Sequence, residues 1–521
     1  MRLGGIVAFA LALFAASPAQ AFCGFYVSGA DTKLTNNATQ VVLMRDGTRT
    51  VLSMQNNYQG PPENFAMVVP VPVVLDKAKV KTLDRAMFDK IDQLDAPRLV
   101  EYWEQDPCNP HKHMEMMAAP GVAMMEAEDS GGSRSKDLGV KVEAKFSVGE
   151  YDIVILSAKD SSGLETWLLQ EKYKIPNGSE PYLRPYVQRG SKFFVAKVDV
   201  KRVRFENGMA TLSPIRFHYD SEQFGLPIRL GLVNSGGAQD LVIHVLGKNQ
   251  RYEVANYPNV AVPTNIEVSD ETRTQFPAFY AALFDRVLER NPRAVVTEYS
   301  WQAGSCDPCP VPPLDVDALA AFGADVLPSV EDKEDPYALA QSFVLTRLHA
   351  RYTKESLGAD LVFRNARPIV GGREIMTGAN HQLERGAVES SMNNFQGRYI
   401  IRHRWTGPIE CENPKRNVWG GPPGGGEPEA SSAKNIAFAP RGKVTLAAFV
   451  KEDNPDLDVK AAPPSQGDPP LGVVVPPPAH TCGCNMTGSS TTASALSALG
   501  GLGLLGLRRR RRPRSNRPRV R

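Results

Sequence analysis

The sequence predicts an α+β fold: a β-rich, mixed globular body followed by a disordered linker rich in proline and glycine and one C-terminal hydrophobic helix. Strand-like runs follow one another with only occasional helical patterns, which favours α+β over a doubly wound sheet. Proline and glycine dominate after residue 420, and an uncharged stretch precedes the terminal arginines. With 42% hydrophobic and 22% charged residues, the chain has an ordinary globular composition.

The N-terminus has the three parts of a secretory signal peptide. Arg2 supplies a positive charge, and residues 6–16 form an apolar run too short to span a bilayer comfortably. The letters AQA end at Ala21 and give the small-x-small site that signal peptidase needs. We therefore predict Sec-type export and cleavage after Ala21, which removes residues 1–21. A lipoprotein at Cys23 is the less favoured alternative, because a bulky phenylalanine precedes that cysteine.

The body begins with a predicted β-hairpin. In "ATQVVLMRDGTRTVLSMQNNYQG", two β-branched runs flank Asp46-Gly47, a pair that tolerates positive φ. In "FAMVVPVPVVL", Pro70 and Pro72 predict a strand that lies at a sheet edge or ends early. The next section, "DRAMFDKIDQLDAPRLVEYWEQ", predicts helix, with Asp95 able to cap and Pro97 in a first turn.

The rest of the body continues with strands and two helices. The predicted strands are EYDIVILSA, KFFVAKVDV, QDLVIHVLG and RAVVTEYSW, and the predicted helices are GLETWLLQEKY and AFYAALFDRVLER. We expect two lobes, residues 22–265 and 266–420. The interval 108–137 is polar and rich in methionine and glycine, and it predicts a mobile loop. Residues 421–481 are a predicted linker, because their proline- and glycine-rich composition buries too little apolar area to offset the entropy of ordering.

The final segment, residues 482–521, combines a cysteine pair, an uncharged span at 486–507 and an arginine cluster. As a helix, the span would reach roughly 33 Å, about the thickness of a bilayer core. Arginines directly after a span stay on the cytoplasmic side, so this segment predicts a membrane anchor that holds the body outside. Its many glycines suit a transient span that an intramembrane protease can unwind, and a permanent anchor is the alternative.

The order of parts in this segment resembles the MYXO-CTERM class of C-terminal sorting tails. The resemblance implies cleavage by a myxosortase-type membrane protease and delivery of the body to the cell surface. Together with the signal peptidase site, the predicted processing and sorting residues are Ala21, Cys482, Gly483, Cys484, Arg508, Arg509, Arg510, Arg511 and Arg512.

Cysteine use is the best chemical clue in the body. Five cysteines in an oxidising compartment are an odd number, so at least one is unpaired or pairs with the tail. Cys306-Asp307-Pro308-Cys309 is a candidate redox motif, but the prolines after Cys309 exclude the helix whose N-terminus would lower the thiol pKa. We therefore expect structural disulfides. The candidates are Cys23, Cys108, Cys306, Cys309 and Cys411.

The sequence raises the hypothesis of a copper site. Cys108, His111 and His113 lie within six residues, and five methionines follow closely, which together form a set of soft ligands. The favoured alternative is a loop with a disulfide-bonded cysteine at its base and incidental methionines, in which case no cofactor binds.

Charge and motifs exclude several functional classes. Without Arg2 and the nine arginines from Arg508 onward, the 60 lysines and arginines fall to 50 against 57 acidic residues, a net charge of about −7. A mildly acidic body does not support nucleic-acid binding. The sequence contains no H-E-x-x-H, G-x-S-x-G or P-loop motif, which disfavours an enzyme. His218, His244 and His349 lie in strand-like runs, where core or sheet-face positions are expected.

Three stretches of the body are distinctive: "FCGFYVSGADTKLTNNATQVVLMRDGTRTVLSMQNNYQGPPENFAMVVPVPVVL", "YSWQAGSCDPCP" and "FVLTRLHARYTKESLGADLVFRNARPIVGG". Through them the body resembles the bacterial domain of unknown function 2330 family. This family has no established activity and supplies no catalytic residues. The leading prediction is an exported, cell-surface binding or structural protein with an unidentified ligand. The alternatives are an envelope enzyme with a site assembled from distant residues and a copper-handling protein.

Overall fold

The computed structural model describes Phe25–Tyr26 and most of residues 39–462. The gaps within the latter range are 57–65, 110–138, 172, 174–177, 207–208, 235–237, 332–334, 374–375, 378–381, 426–429, 434, 440 and 443. The predicted signal peptide, almost all of the Met-rich loop, the end of the predicted linker and the sorting tail lie outside the described residues.

The described residues contain 28 strands and six α-helices. The strands are β1 (Phe25–Tyr26), β2 (Thr39–Asp46), β3 (Arg49–Asn56), β4 (Ala66–Val71), β5 (Val80–Thr82), β6 (Arg98–Glu104), β7 (Val140–Val148), β8 (Tyr151–Ala158), β9 (Lys192–Val198), β10 (Arg204–Glu206), β11 (Met209–Thr211), β12 (Ile215–Asp220), β13 (Gly225–Leu226), β14 (Gln239–Lys248), β15 (Arg251–Val254), β16 (Asn259–Ala261), β17 (Ile266–Glu267), β18 (Val295–Gln302), β19 (Phe343–Tyr352), β20 (Leu361–Ala366), β21 (Ile369–Gly371), β22 (Met376–Thr377), β23 (Gln382–Leu383), β24 (Val388–Glu389), β25 (Asn394–Gln396), β26 (Arg398–His403), β27 (Trp419–Gly420) and β28 (Ala430–Ser432). The helices are α1 (Arg85–Asp95), α2 (Ser161–Gln170), α3 (Glu180–Gln188), α4 (Thr272–Arg290), α5 (Val316–Phe322) and α6 (Pro336–Ser342). This mixture of strands and helices confirms the predicted α+β class.

The central sheet has eleven strands in the order β24-β21-β25-β18-β19-β14-β2-β3-β12-β5, with β16 beside β18. In its middle, β14 pairs antiparallel with β19 and parallel with β2. Two five-stranded sheets accompany it: β1-β4-β9-β8-β7, and β17-β26-β6-β27 with β28 beside β6. Strands from both sides of residue 265 therefore share the central sheet, and the described residues form one compact unit.

The sheets and helices are stacked in layers. The first five-stranded sheet packs on the central sheet, where Val41 and Leu43 of β2 share a core with Ile153 and Phe194. Helices α2 and α3 cover the outer face of that smaller sheet. Helices α1, α5 and α6 cover the opposite face of the central sheet. Helix α4 packs against β26 in a separate apolar cluster. The central sheet is thus buried on both faces along its middle strands.

The predicted helix at residues 84–105 is only half correct. Helix α1 starts after Asp84, whose side chain accepts a hydrogen bond from the amide of Ala86, and it ends at Asp95. The residue before a proline avoids the helical region, so Pro97 ends the helix and the following residues form strand β6. Asp95 caps no helix. It is fully buried instead.

Strand β4 fits one of its two predicted outcomes. It ends at Val71, as its prolines indicate, but it lies between β1 and β9 and not at the sheet edge. Pro70 pairs with Phe193 of β9, whereas β1 pairs only with Met67 and Val68. No described strand therefore lies beside Pro70 on the β1 side. The amide hydrogen that Pro70 lacks is thus not needed for strand pairing there.

The predicted linker starts too early in the sequence. Residues 430–462, here called the C-terminal segment, pack on the body: β28 pairs with β6, and Ile436, Leu446 and Phe449 are buried in the cluster around α4. These apolar residues show no helical or strand periodicity. The proline- and glycine-rich composition around them therefore led to the prediction of a linker. The folded body extends to residue 462. None of the described helices is long and apolar enough to cross a bilayer.

Candidate functional site

A cluster of ionisable side chains in mutual contact lies inside the body, between the central sheet and α1. Strand β19 brings Arg347 and His349 to one face, because alternate residues of a strand point the same way. His244 of β14 is the register partner of Arg347. Helix α1 and strand β18 supply the carboxylates. We call this cluster the Arg347 network: Asp92, Asp95, His244, Glu298, Arg347 and His349.

Arg347 is bound by three carboxylates. Its Nη1 donates to Asp92 and Asp95 at 2.8 Å each, and its Nε donates to Glu298 at 2.6 Å. All four side chains are at most 1% exposed. Burial alone would lower the pKa of Arg347, but the surrounding carboxylates outweigh burial and raise it. The guanidinium therefore stays charged in the interior.

Glu298 joins Arg347 to His349. Its Oε1 accepts from the hydroxyl of Tyr280 and lies 2.7 Å from Nδ1 of His349. The other ring nitrogen, Nε2, lies 3.1 Å from Asp240, so both nitrogens face carboxylates, as a protonated imidazole requires. Burial opposes both charges, yet His349 and Arg347 hold the pKa of Glu298 at about 2. Likewise, Glu298 and Asp240 overcome burial and raise the pKa of His349.

The network extends to the C-terminal segment. Asp285 of α4 accepts from Nη1 of Arg351 at 2.6 Å and also from Arg441. On the other side, the backbone amide of Asn435 donates to Asp92 at 2.9 Å. Ionic contacts thus connect the central sheet, α1, α4 and the C-terminal segment.

This geometry suits a structural role. A catalytic acid or base must come within hydrogen-bond reach of its substrate, whereas all six network residues are at most 1% exposed. A cavity of about 700 Å³ lies between α4 and the C-terminal segment, and of the ionic contacts above it reaches only the outlying Asp285. The network therefore holds the interior elements together. A ligand in that cavity would not reach any of the six network residues.

Four predicted disulfide cysteines pair in the structure. Cys108 pairs with Cys411 and Cys306 with Cys309, at Cα separations of 5.6 and 5.0 Å. Cys23 lies outside the described residues. No helix follows Cys309 directly, as the prolines predict, because α5 begins only at Val316.

Of the three proposed copper ligands, the structure describes only Cys108. Cys108 is disulfide-bonded, so it offers no thiolate to a metal. His111 and His113 lie outside the described residues, as do the sorting residues at both termini. Within the ranges given above, no group of three or more His, Cys, Asp or Glu side chains is arranged to hold a metal ion.

The sequence predicted where the histidines lie but not what they bind. His244 and His349 are buried on the sheet face, as expected. Their carboxylate partners were missed, because Asp92, Asp95 and Glu298 are distant in sequence. A signal was nevertheless present. In "TRLHARY", charged residues alternate with apolar ones inside a strand, which indicates a polar stripe on one buried face.

Comparison with protein families matches residues 17–364 to a family described as "Uncharacterized protein conserved in bacteria (DUF2330)". No curated protein and no solved structure gives a significant match. The matched region includes all six residues of the Arg347 network. It excludes Cys411, which completes the disulfide with Cys108. It also excludes the C-terminal segment, which contributes the outer contacts of the network.

Proposed function

Because the chain belongs to the DUF2330 family of uncharacterized proteins conserved in bacteria, we propose a function from its own residues. It is an exported, cell-surface-sorted protein that binds a partner or serves as a structural element of the envelope, and it does not catalyse a reaction through its buried charges.

One observation carries the non-enzymatic part of this proposal. The acids and bases of the Arg347 network are sealed from solvent and compensate one another. Active sites instead present perturbed groups to a cleft. A buried, paired network of this kind stabilises a particular packing of sheet and helices.

Export is supported by the two termini and by the cysteines. The first 21 residues have the pattern of a signal peptide, and the last 40 have the pattern of a sorting tail. Disulfides persist in oxidising compartments and are rare in the cytosol, so the pairs Cys108–Cys411 and Cys306–Cys309 fit an exported body.

Surface labelling of intact cells tests the proposal. A membrane-impermeant amine reagent should label the body on whole cells, and added protease should remove it without lysis. A cytosolic protein in the same cells serves as the control and should stay unlabelled. If the body is labelled only after lysis with disruption of the inner membrane, the surface-sorting proposal is wrong.

A further inference from the structure

The short disulfide Cys306–Cys309 lies in the loop between β18 and α5, and its two halves have different environments. Cys306 is half-buried and packs against the apolar cluster under α5 and α6. Cys309 is exposed. A thiolate arriving from solvent can therefore reach the sulfur of Cys309 more readily than that of Cys306.

The loop is held in place independently of this disulfide. The carbonyl of Asp307 accepts from Nε2 of Gln396 at 2.7 Å, and the carbonyl of Pro308 accepts from Nη1 of Arg98 at 2.6 Å. The Asp307 carboxylate also pairs with Arg373. These bonds do not involve sulfur, so reduction of the disulfide leaves the loop anchored. A bridge between residues only three apart also restricts the unfolded chain little.

A buried cation lies against this loop. Arg98 is fully buried, and its guanidinium donates to the carbonyl oxygens of Leu94 and Pro308. Its Nε has no hydrogen-bond partner among the described residues. Its register partner on β26 is a second buried arginine, Arg398. Arg347, by contrast, is surrounded by carboxylates. The carboxylates of Asp95 and Asp307 act on Arg98 electrostatically without accepting a hydrogen bond from it, so its positive charge lies against the loop and can favour a thiolate there.

We propose that Cys306–Cys309 is an exchangeable disulfide that an exported dithiol reduces by attack on Sγ of Cys309. The attacking thiolate forms a mixed disulfide with Cys309, the Cys306–Cys309 bond breaks, and its electron pair leaves on Sγ of Cys306. The second thiol of the reductant, deprotonated, then attacks the reductant's own sulfur in the mixed disulfide and releases Cys309 as a thiolate. Two electrons pass from the dithiol to the protein, and the two protons pass to the new thiols or to solvent.

This inference goes beyond the proposed function, because it assigns a reactive surface site to the body. The body is the substrate of the exchange, and the reductant is a dithiol. Cys108–Cys411 provides an internal control, since it also joins an exposed cysteine to a half-buried one but closes a separation of 303 residues, so it restricts the unfolded chain much more.

A redox titration tests the proposal on the folded mature protein, with dithiothreitol as the probe. Samples equilibrated at set ratios of reduced to oxidised dithiothreitol are quenched with acid and alkylated, and each pair is quantified by peptide mass spectrometry. We expect Cys306–Cys309 to be half reduced at a ratio at least ten-fold lower than Cys108–Cys411, with an unchanged circular dichroism spectrum. Simultaneous reduction of both pairs, or reduction of Cys306–Cys309 only upon unfolding, would overturn the proposal.

The role of Arg98 has its own readout. In the selectively reduced protein, Arg98→Met should shift the pH midpoint of iodoacetamide alkylation at these cysteines upward, whereas Arg98→Lys should largely restore it. Arg398→Met is the matched control, because Arg398 makes no hydrogen bond to the loop. An unchanged midpoint in folded Arg98→Met contradicts the role of the cation. If that variant fails to fold, the titration of the unmodified protein decides the proposal.

Discussion

Glu298 accepts a hydrogen bond from Nε of Arg347 at 2.6 Å, and it does so from a bulge in β18. The pairing of β18 with β19 shifts register between Thr297 and Tyr299, so Glu298 has no partner residue in the ladder. A bulge bends a strand locally and redirects a side chain. Here it accompanies a carboxylate that faces the buried network while Val296 and Tyr299 pack in separate apolar clusters.

Removing the charge of Glu298 should therefore destabilise the protein strongly. Glu298→Gln leaves Arg347 and His349 buried with one fewer carboxylate, and breaking a buried pair costs about 3 to 5 kcal/mol of unfolding free energy. Urea unfolding followed by circular dichroism measures this loss. Glu389→Gln is the control, because Glu389 pairs with Arg367 at the surface, and it should change stability by less than about 1 kcal/mol. Equal effects of the two substitutions would contradict the structural role of the network.

Glu298 and His349 together set the pH range in which the protein is most stable. Glu298 has a folded pKa of about 2 against an ordinary value of 4.5, so its contribution is present above pH 4.5 and is lost as pH falls towards 2. His349 has a folded pKa raised above 6.5, so its contribution is complete below pH 6.5 and is lost as pH rises through the folded value. Thermal melts across pH should be highest between these limits. In His349→Gln the loss on the alkaline side should be smaller, and an unchanged alkaline limb would refute the assignment.

The long disulfide should contribute more stability than the short one. Replacing Cys108 and Cys411 together by serine should lower the unfolding free energy by roughly 2 to 5 kcal/mol, since this bridge closes the longer loop. The Cys306→Ser, Cys309→Ser double variant is the comparison and should lose less than about 2 kcal/mol. Denaturant titrations of both variants decide the order, and a larger loss in the short-loop variant would be contrary to expectation.

The C-terminal segment should behave as part of the body. Phe449 is 2% exposed beside Phe279, with ring centroids 5.8 Å apart, so Phe449→Ala should cost about 3 to 5 kcal/mol. Val444 lies in the same segment but is 37% exposed, and Val444→Ala should change stability by less than about 0.5 kcal/mol. Calorimetry of both variants tests this, and a melt of Phe449→Ala like that of the parent would mean that the segment is dispensable.

The tail prediction can be checked on protein purified from the envelope. Mass spectrometry of both ends should find a chain that starts near Phe22 and ends close to Cys484. Replacing Arg508 to Arg512 by serine should yield uncut precursor or premature release, because the stop-transfer charge is lost. Replacing Cys482 and Cys484 by alanine should retain the tail. Chains that end mainly at Arg521 in unmodified cells would instead identify a permanent anchor.

The strands were the most predictable part of the fold, because the pattern that identifies a strand lies within its own residues. That pattern is either an alternation of polar and apolar residues or a continuous apolar run. The hairpin β2–β3 follows from two β-branched runs around Gly47, whose φ is +56°. Strand β6 was not predicted, since its residues continue a helical pattern and only Pro97 signals the change. The pairing of β6 with β26 is a contact across the chain that no local pattern contains.

The candidate site was less predictable than the fold. Cysteine positions suggested disulfides, but the partner of Cys108 depends on how the chain returns to it at Cys411. The Arg347 network combines residues from α1, β14, β18 and β19, and one member depends on a bulge. Buried charge can be inferred from alternation in one strand. Its compensation depends on tertiary structure, as the distant Asp92 and Asp95 show.

The link between Cys108 and Cys411 also imposes an order on the making of the protein. A chain synthesised from its N-terminus presents Cys108 long before Cys411, and Cys306 and Cys309 emerge in the interval. During that time the first oxidation partners available to Cys108 are incorrect ones. The native link therefore requires either that Cys108 stays reduced until β26 has paired with β6, or that an early mispaired bridge is reshuffled afterwards. The two routes differ in cells that lack a disulfide isomerase: reshuffling would leave them with less of the correctly bridged protein, whereas delayed oxidation would leave the amount unchanged.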